Sequence, residues 1–263
     1  VVAKMNIFTQ LVKSLYSPKD IAKYRFQGIG KTILYVFFLT FIMVLPLAIY
    51  FTMAFMTNVD EFNTALKSDI PKFEIKDGTL TSDMDAPQLI KKEDFTIQFD
   101  STGTLNSTDL NTSSDVTVGL LKNKAVLLVN GQAQELEYSM VPGLSLTNES
   151  ASEYIENAKA SLYLIVALVI LVMFLMTAAL QFLEVTLLAY FGGLFASILG
   201  RRTNFGQQWR LAAYSFTLAV VFFTFMDFIQ VPVIGDFYVK WFISLMMLYM
   251  AIKELPAPKK PKA

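Results

Sequence analysis

The sequence predicts an α-helical polytopic membrane protein carrying one inserted, mostly β extracytoplasmic domain. Three observations predict it. The stretch Ser161–Gly200 is predominantly apolar with Glu184 as its one charged residue, and other long apolar runs flank it on both sides. More than half of the residues are hydrophobic (54%), beyond ordinary soluble usage. The charges also separate along the chain although they cancel overall. Residues 1–31 hold six Lys/Arg against Asp20 alone, whereas residues 57–158 hold seventeen acids against seven lysines.

Composition excludes several kinds of chemistry. With no Cys there is no disulfide and no thiol nucleophile. With no His, the commonest general base and the usual zinc ligand are both missing. The expectation is a protein without enzymatic activity, cofactor or metal.

Taken in order, residues 1–31 read as a basic, amphipathic cytoplasmic region. Met5, Phe8, Leu11, Val12, Leu15 and Tyr16 follow helical spacing, with Gln10, Lys13 and Ser14 opposite. Such a helix either lies on the anionic leaflet or packs on the protein's own cytoplasmic face. Met5 is a natural start, with Val1–Lys4 ahead of it. Ser17-Pro18-Lys19-Asp20 opens a second helix, through an N-cap serine, a first-position proline and a first-turn acid. Gly28-Ile29-Gly30-Lys31-Thr32 is superficially similar to a phosphate-binding loop. It has Arg25 where the first glycine belongs and no strand before it, so a hinge is the better reading.

Residues 32–56 form the first span, with Pro46 inside it. The Lys/Arg excess before it places the N-terminal region in the cytoplasm and residues 57–158 outside. In that region Phe73–Lys76, Asp77-Gly78 and Thr79–Thr81 predict a hairpin, and Phe95–Phe99 alternates as a strand. Val116–Leu121 and Ala125–Val129 predict a second hairpin, and Asn130-Gly131 turns into Gln134–Tyr138. Five or six strands are expected, with a helix over Ser150–Ala160 leading to the next span. Asn106, Asn111 and Asn148 begin Asn-x-Ser/Thr triplets, which arise readily by chance in a Ser/Thr-rich loop. No calcium-loop spacing is present among the acids.

Residues 159–200 then form a long second span that ends inside, because Arg201, Arg202 and Arg210 follow in the loop 201–210. One long helix is expected, bending if anywhere at Gly192-Gly193, with more length than one crossing needs. Residues 211–229 return outward, 230–237 form an outer loop, 238–253 come back, and 254–263 are a cytoplasmic tail holding Lys259, Lys260 and Lys262. Trp241 and Tyr238 suit an outer aromatic belt. The candidate functional residues are the intramembrane acids Glu184 and Asp227. Their structural alternatives are pairing of Glu184 with Arg201, Arg202 or Arg25, and reach of Asp227 to headgroups or Lys240. Lys19, Lys23, Arg25, Lys31, Arg201, Arg202 and Arg210 are the candidate cytoplasmic basic face.

The run SLYSPKDIAKYRFQGIGKTILYVFFL, the acidic insert and the ending WFISLMMLYMAIKEL resemble a Gram-positive bacterial family of polytopic membrane proteins of unknown function. Some of its members are named maltodextrin-utilisation proteins. The stretch around Gly192-Gly193, Phe205-Gly206-Gln207 and Leu211–Tyr214 is similar to the distantly related Yip-type proteins. The resemblance implies a multi-pass accessory protein of the cell membrane, working with the bilayer and a membrane-protein partner such as a maltodextrin importer. A transporter component using Glu184 and Asp227 is the alternative. Nothing in the charge pattern points to nucleic acid, and the ligand of the outer domain is open.

Overall fold

A computed structural model describes residues 6–110 and 116–257. Val1–Met5, Asn111–Asp115 and the lysine-rich tail fall outside the described residues. The described chain is mostly helical, with a separate small region of β-sheet. Its helices are α1 (Ile7–Tyr16), α2 (Pro18–Tyr24), α3 (Ile29–Ser68), α4 (Asn148–Ile198), α5 (Phe205–Ser215), α6 (Thr217–Phe228) and α7 (Asp236–Lys253). Three helical stretches among the described residues are long and apolar enough to cross a membrane: Ile29–Ser68, Asn148–Ile198 and Phe205–Phe228. The eighteen residues of α7 include Asp236, Lys240 and Lys253, three charges that keep it outside that set.

Two compact units divide the chain. The residues up to Tyr50 and from Ala167 form one, and Phe51–Val166 form the other. Both α3 and α4 are continuous helices through that division. At 1.5 Å per residue, the 51 residues of α4 extend about 75 Å. The stretch read as 159–200 lies within this helix almost to its end, and the helix begins earlier, at Asn148.

In the helical unit, the core gathers Ile21, Tyr24, Tyr35, Leu39, Leu188, Leu211, Tyr214, Phe216 and Leu248, all essentially without exposure. Small residues let the helices approach. A Cβ on Gly193 would sit 3.3 Å from the Gln208 carboxamide, and one on Gly192 would lie 3.5 Å from both Gln208 and Leu248. Gly192-Gly193 thus makes room for α5 and α7 rather than interrupting α4, which is one unbroken helix there. Pro46 likewise lies within an unbroken α3.

In the other unit, the strands are β1 (Phe73–Lys76), β2 (Thr79–Ser82), β3 (Gln88–Lys91), β4 (Thr96–Asp100), β5 (Val116–Leu121), β6 (Lys124–Val129), β7 (Gln132–Glu137) and β8 (Leu146–Thr147). They build a three-stranded sheet ordered β2-β1-β8 and a five-stranded sheet ordered β3-β4-β5-β6-β7. Every pairing is antiparallel except β4 with β5. The Asp77-Gly78 and Asn130-Gly131 turns have positive φ at both central residues, the left-handed pair that a two-residue hairpin needs. Eight strands stand where five or six were expected, since β3 and β8 were not foreseen. Period-two patterning sends Ile97, Phe99 and Leu120 to one face, against Ala65, Leu66, Phe73, Ile75 and Leu80. Leu121, Val126 and Leu128 face the other way, under Leu110.

Candidate functional site

The N-terminal helices are held through polar side chains. In α1, Gln10 and Ser14 are buried, whereas Phe8, Val12 and Tyr16 are exposed. The polar positions are thus the buried ones, with Ile7 and Leu11 half-buried beside them. The Gln10 and Gln27 carboxamides bond each other in both directions at 3.2 Å. The Tyr214 hydroxyl accepts from Gln27 at 3.0 Å and donates to Gln10 at 3.1 Å. Tyr24 and Tyr35 stack against Tyr214, with centroids 4.5 and 4.2 Å away. Burial pushes the Tyr24 hydroxyl up to about 12. This set of hydrogen bonds fixes α1 and the turn after α2 against α5, while the Tyr24 hydroxyl beside it has no hydrogen-bond partner among the described residues. The sequence reading placed Gln10 and Ser14 opposite the apolar positions and named no partner for them.

The basic residues take up different local contacts. Lys23 pairs with Asp20 at 2.7 Å, and that bond is the largest effect lowering the Asp20 carboxyl from its usual range. Arg25 lies over the Phe26 ring at 4.3 Å and donates to the Ala22 carbonyl. Arg210 donates to the Arg25 carbonyl at 3.4 Å, so these two do meet. Arg201 instead caps α7 through the Lys253 carbonyl at 3.1 Å. Lys19, Lys31 and Arg202 are exposed.

The two acids of the apolar helices differ sharply. Glu184 pairs with Lys240 of α7 at 2.6 Å, not with Arg201, Arg202 or Arg25. The Lys240 ammonium also sits 5.8 Å above the Phe216 ring. One turn earlier on α4, the Gln181 carboxamide is 1% exposed and has no hydrogen-bond partner on either atom among the described residues. Asp227, by contrast, is exposed in the last turn of α6, and Lys240 does not serve it.

In the β unit, Asp100 is fully buried at the end of β4. Its carboxylate accepts from the backbone of Thr102 (2.9 Å), Gly103 (3.2 Å) and Leu105 (2.7 Å), and from the Thr102 hydroxyl at 2.6 Å. Burial opposes its ionisation, but those donors outweigh burial and hold the carboxyl below the usual range. With every oxygen engaged inward, Asp100 organises the loop that follows β4. Asn148 does similar work: its amide donates to the Leu66, Ile70 and Pro71 carbonyls, and its oxygen accepts from the Phe73 N–H. That leaves its nitrogen no freedom as a glycan acceptor. The Asn106 side chain caps a short 3-10 turn, and Asn111 is outside the described residues. Among the described residues, no group of three acids converges as a metal site. A cleft of about 590 Å³ beside Asn148 mixes Lys67 and Lys72 with Glu74, Asp83 and Glu149, so its charge favours no one ligand class.

No curated protein and no solved structure matches the chain. A family model described as "Protein of unknown function (DUF1189)" matches residues 8–252, from the first turn of α1 to the last turn of α7. The chain belongs to that family.

Proposed function

We propose that this protein is a non-enzymatic accessory or scaffold component of a membrane complex. In this reading it crosses the bilayer four times, through α3, α4, the α5–α6 pair and α7. The ends of the described chain lie in the cytoplasm and the acidic β unit outside. The observation that carries the reading is the pairing of Glu184 with Lys240. A carboxylate already matched with an ammonium 2.6 Å away serves to fix α4 against α7, a structural use of intramembrane charge. Charge segregation supports the orientation, with the basic residues before α3 and after α4 on the inner side. A maltodextrin importer is the complex that the family resemblance suggests.

A transporter component is the second reading, favoured by one specific observation: among the described residues Asp227 has no ion-pair partner. The test is purification of the tagged full chain from its native membrane in mild detergent. A scaffold should come out in a stoichiometric complex with another membrane protein. If it is instead monodisperse alone and moves a solute in proteoliposomes, the transporter reading replaces it.

A further inference from the structure

Asp227 stands at the wrong end of its helix for a carboxylate. The carbonyl end of a helix carries partial negative charge, which favours cations. The last carbonyls of α6 are already satisfied. Those of Phe225, Met226 and Asp227 accept the N–H groups of Ile229, Val231 and Gln230 at 3.0–3.1 Å. The Phe228 carbonyl accepts the Tyr50 hydroxyl at 2.6 Å. The side-chain carboxylate of Asp227 is what remains unmatched among the described residues. The charge that acts on it is that of Asp236, also negative.

This carboxylate lines a groove of about 540 Å³, a volume suited to a headgroup and a few methylenes. Met43, Val44 and Leu47 of α3 and Val231 and Pro232 of the following loop supply its apolar walls. Phe225, Phe228 and Ile229 beside it are exposed, an apolar collar continuous with the rest of the α6 surface. The Asp227 carboxylate makes a negative spot within apolar walls, and its complement is a cation with methylenes beside it.

We propose that this groove binds the primary ammonium headgroup of a membrane lipid, with Asp227 as counter-ion and the α3 wall covering the first methylenes. A primary ammonium is favoured over a quaternary one because the carboxylate oxygens can accept N–H hydrogen bonds, which a choline headgroup lacks. The four-span reading places the groove at the outer leaflet, and the site rests on that reading only for which leaflet supplies the lipid.

The test uses the purified full chain in neutral detergent. Thermal unfolding is followed against short-chain phosphatidylethanolamine, phosphatidylcholine and phosphatidylglycerol, and against free ethanolamine. Phosphatidylethanolamine should raise the melting temperature saturably, at concentrations at least tenfold below those the other two lipids need. Asp227→Asn should weaken that response about tenfold or more while leaving the other lipids unchanged. Leu47→Trp, which fills the groove and keeps the charge, should do the same and covers the case in which Asp227→Asn fails to fold. Equal responses to all three lipids, or a response kept by both variants, overturns the proposal. Saturation by free ethanolamine at the same concentration would assign the site to soluble amines and overturn its lipid part. The leaflet is read separately by cysteine labelling, so a wrong topology and a wrong ligand give different failures.

Discussion

Removing one member of the Glu184–Lys240 pair should cost far more than removing both. The two side chains are only 25% and 20% exposed, and Nζ lies 2.6 Å from Oε2. Lys240→Met leaves the Glu184 carboxylate unmatched in a segment of α4 that is otherwise uncharged. Removing one partner of a buried pair costs about 3–5 kcal/mol, and the partial exposure of both side chains here places the loss near the lower end, about 3 kcal/mol. Glu184→Gln is milder, because the glutamine carbonyl still accepts from the ammonium and Phe216 still lies beneath it, so about 1–2 kcal/mol is expected. In the double variant neither charge remains, and replacing a buried pair by neutral groups is often close to neutral.

The assay is thermal unfolding of the four proteins in one neutral detergent. At roughly 2–4 °C per kcal/mol for chains of this order, Lys240→Met should melt about 6–12 °C lower. The double variant should recover most of that, to within about 1 kcal/mol of the parent, giving a coupling of about 3–4 kcal/mol. Strictly additive single effects, or a Lys240→Met protein as stable as the parent, would refute the claim that this pair fixes α4 against α7. Partner association should survive Glu184→Gln. A Glu184→Gln protein that folds and keeps its partner yet loses all function would assign the titratable charge itself a role.

Two further expectations concern placement and the β unit. Thr108→Cys should react with an impermeant maleimide on intact, wall-stripped cells and Arg202→Cys should not; labelling of Arg202→Cys from outside would sink the four-span orientation. Asp100 should make the β unit acid-sensitive. Its folded carboxyl titrates below the unfolded value near 3.9, so its contribution is complete above about pH 4 and is lost as pH falls through the depressed folded value. Asp100→Asn should cost about 2–3 kcal/mol at neutral pH and flatten the acid limb of the unfolding curve; an unchanged acid limb would mean the charge does not hold that loop.

How legible each element was depended on whether its signal is local. The Asp77-Gly78 and Asn130-Gly131 hairpins could be read because positive φ at two successive residues is demanded by the turn itself. β3 is four residues and β8 only two, too short for period-two patterning to stand out, and β8 exists through its pairing with β1. The length of α3 was missed for another reason. Its apolar run stops near Met56, but Phe62, Ala65 and Leu66 continue at helical spacing and supply core to the β unit. A membrane-span reading ends where hydropathy falls, whereas the helix ends where its packing does. The partner of Glu184 was misassigned because the arginines were chosen by charge and sequence order. What decides the pair is how far α7 lies alongside α4, which no local pattern encodes.

If α1 lies against the bilayer that the proposed function has this chain cross, its buried polar face follows from the solvent. Reading apolar side chains as inward assumes that the outside is water. When the outside is hydrocarbon, the transfer energy that drives Phe8 and Val12 inward in water disappears, and the cost of leaving Gln10 or Ser14 outside rises. The stable arrangement is then a helix docked by hydrogen bonds, with its apolar stripe left exposed. Gln10, Gln27 and Tyr214 close that bonded set inside, while Phe8 meets Phe38 of α3 edge to face at 5.4 Å on the exposed side. The two expectations for α1, lying against lipid or packing on its own protein, are therefore one arrangement seen from opposite faces of the helix. The polar side holds it to α2 and α5, and the stripe of Phe8, Val12 and Tyr16 extends the apolar surface that α3 shows through Ile33, Leu34 and Phe41.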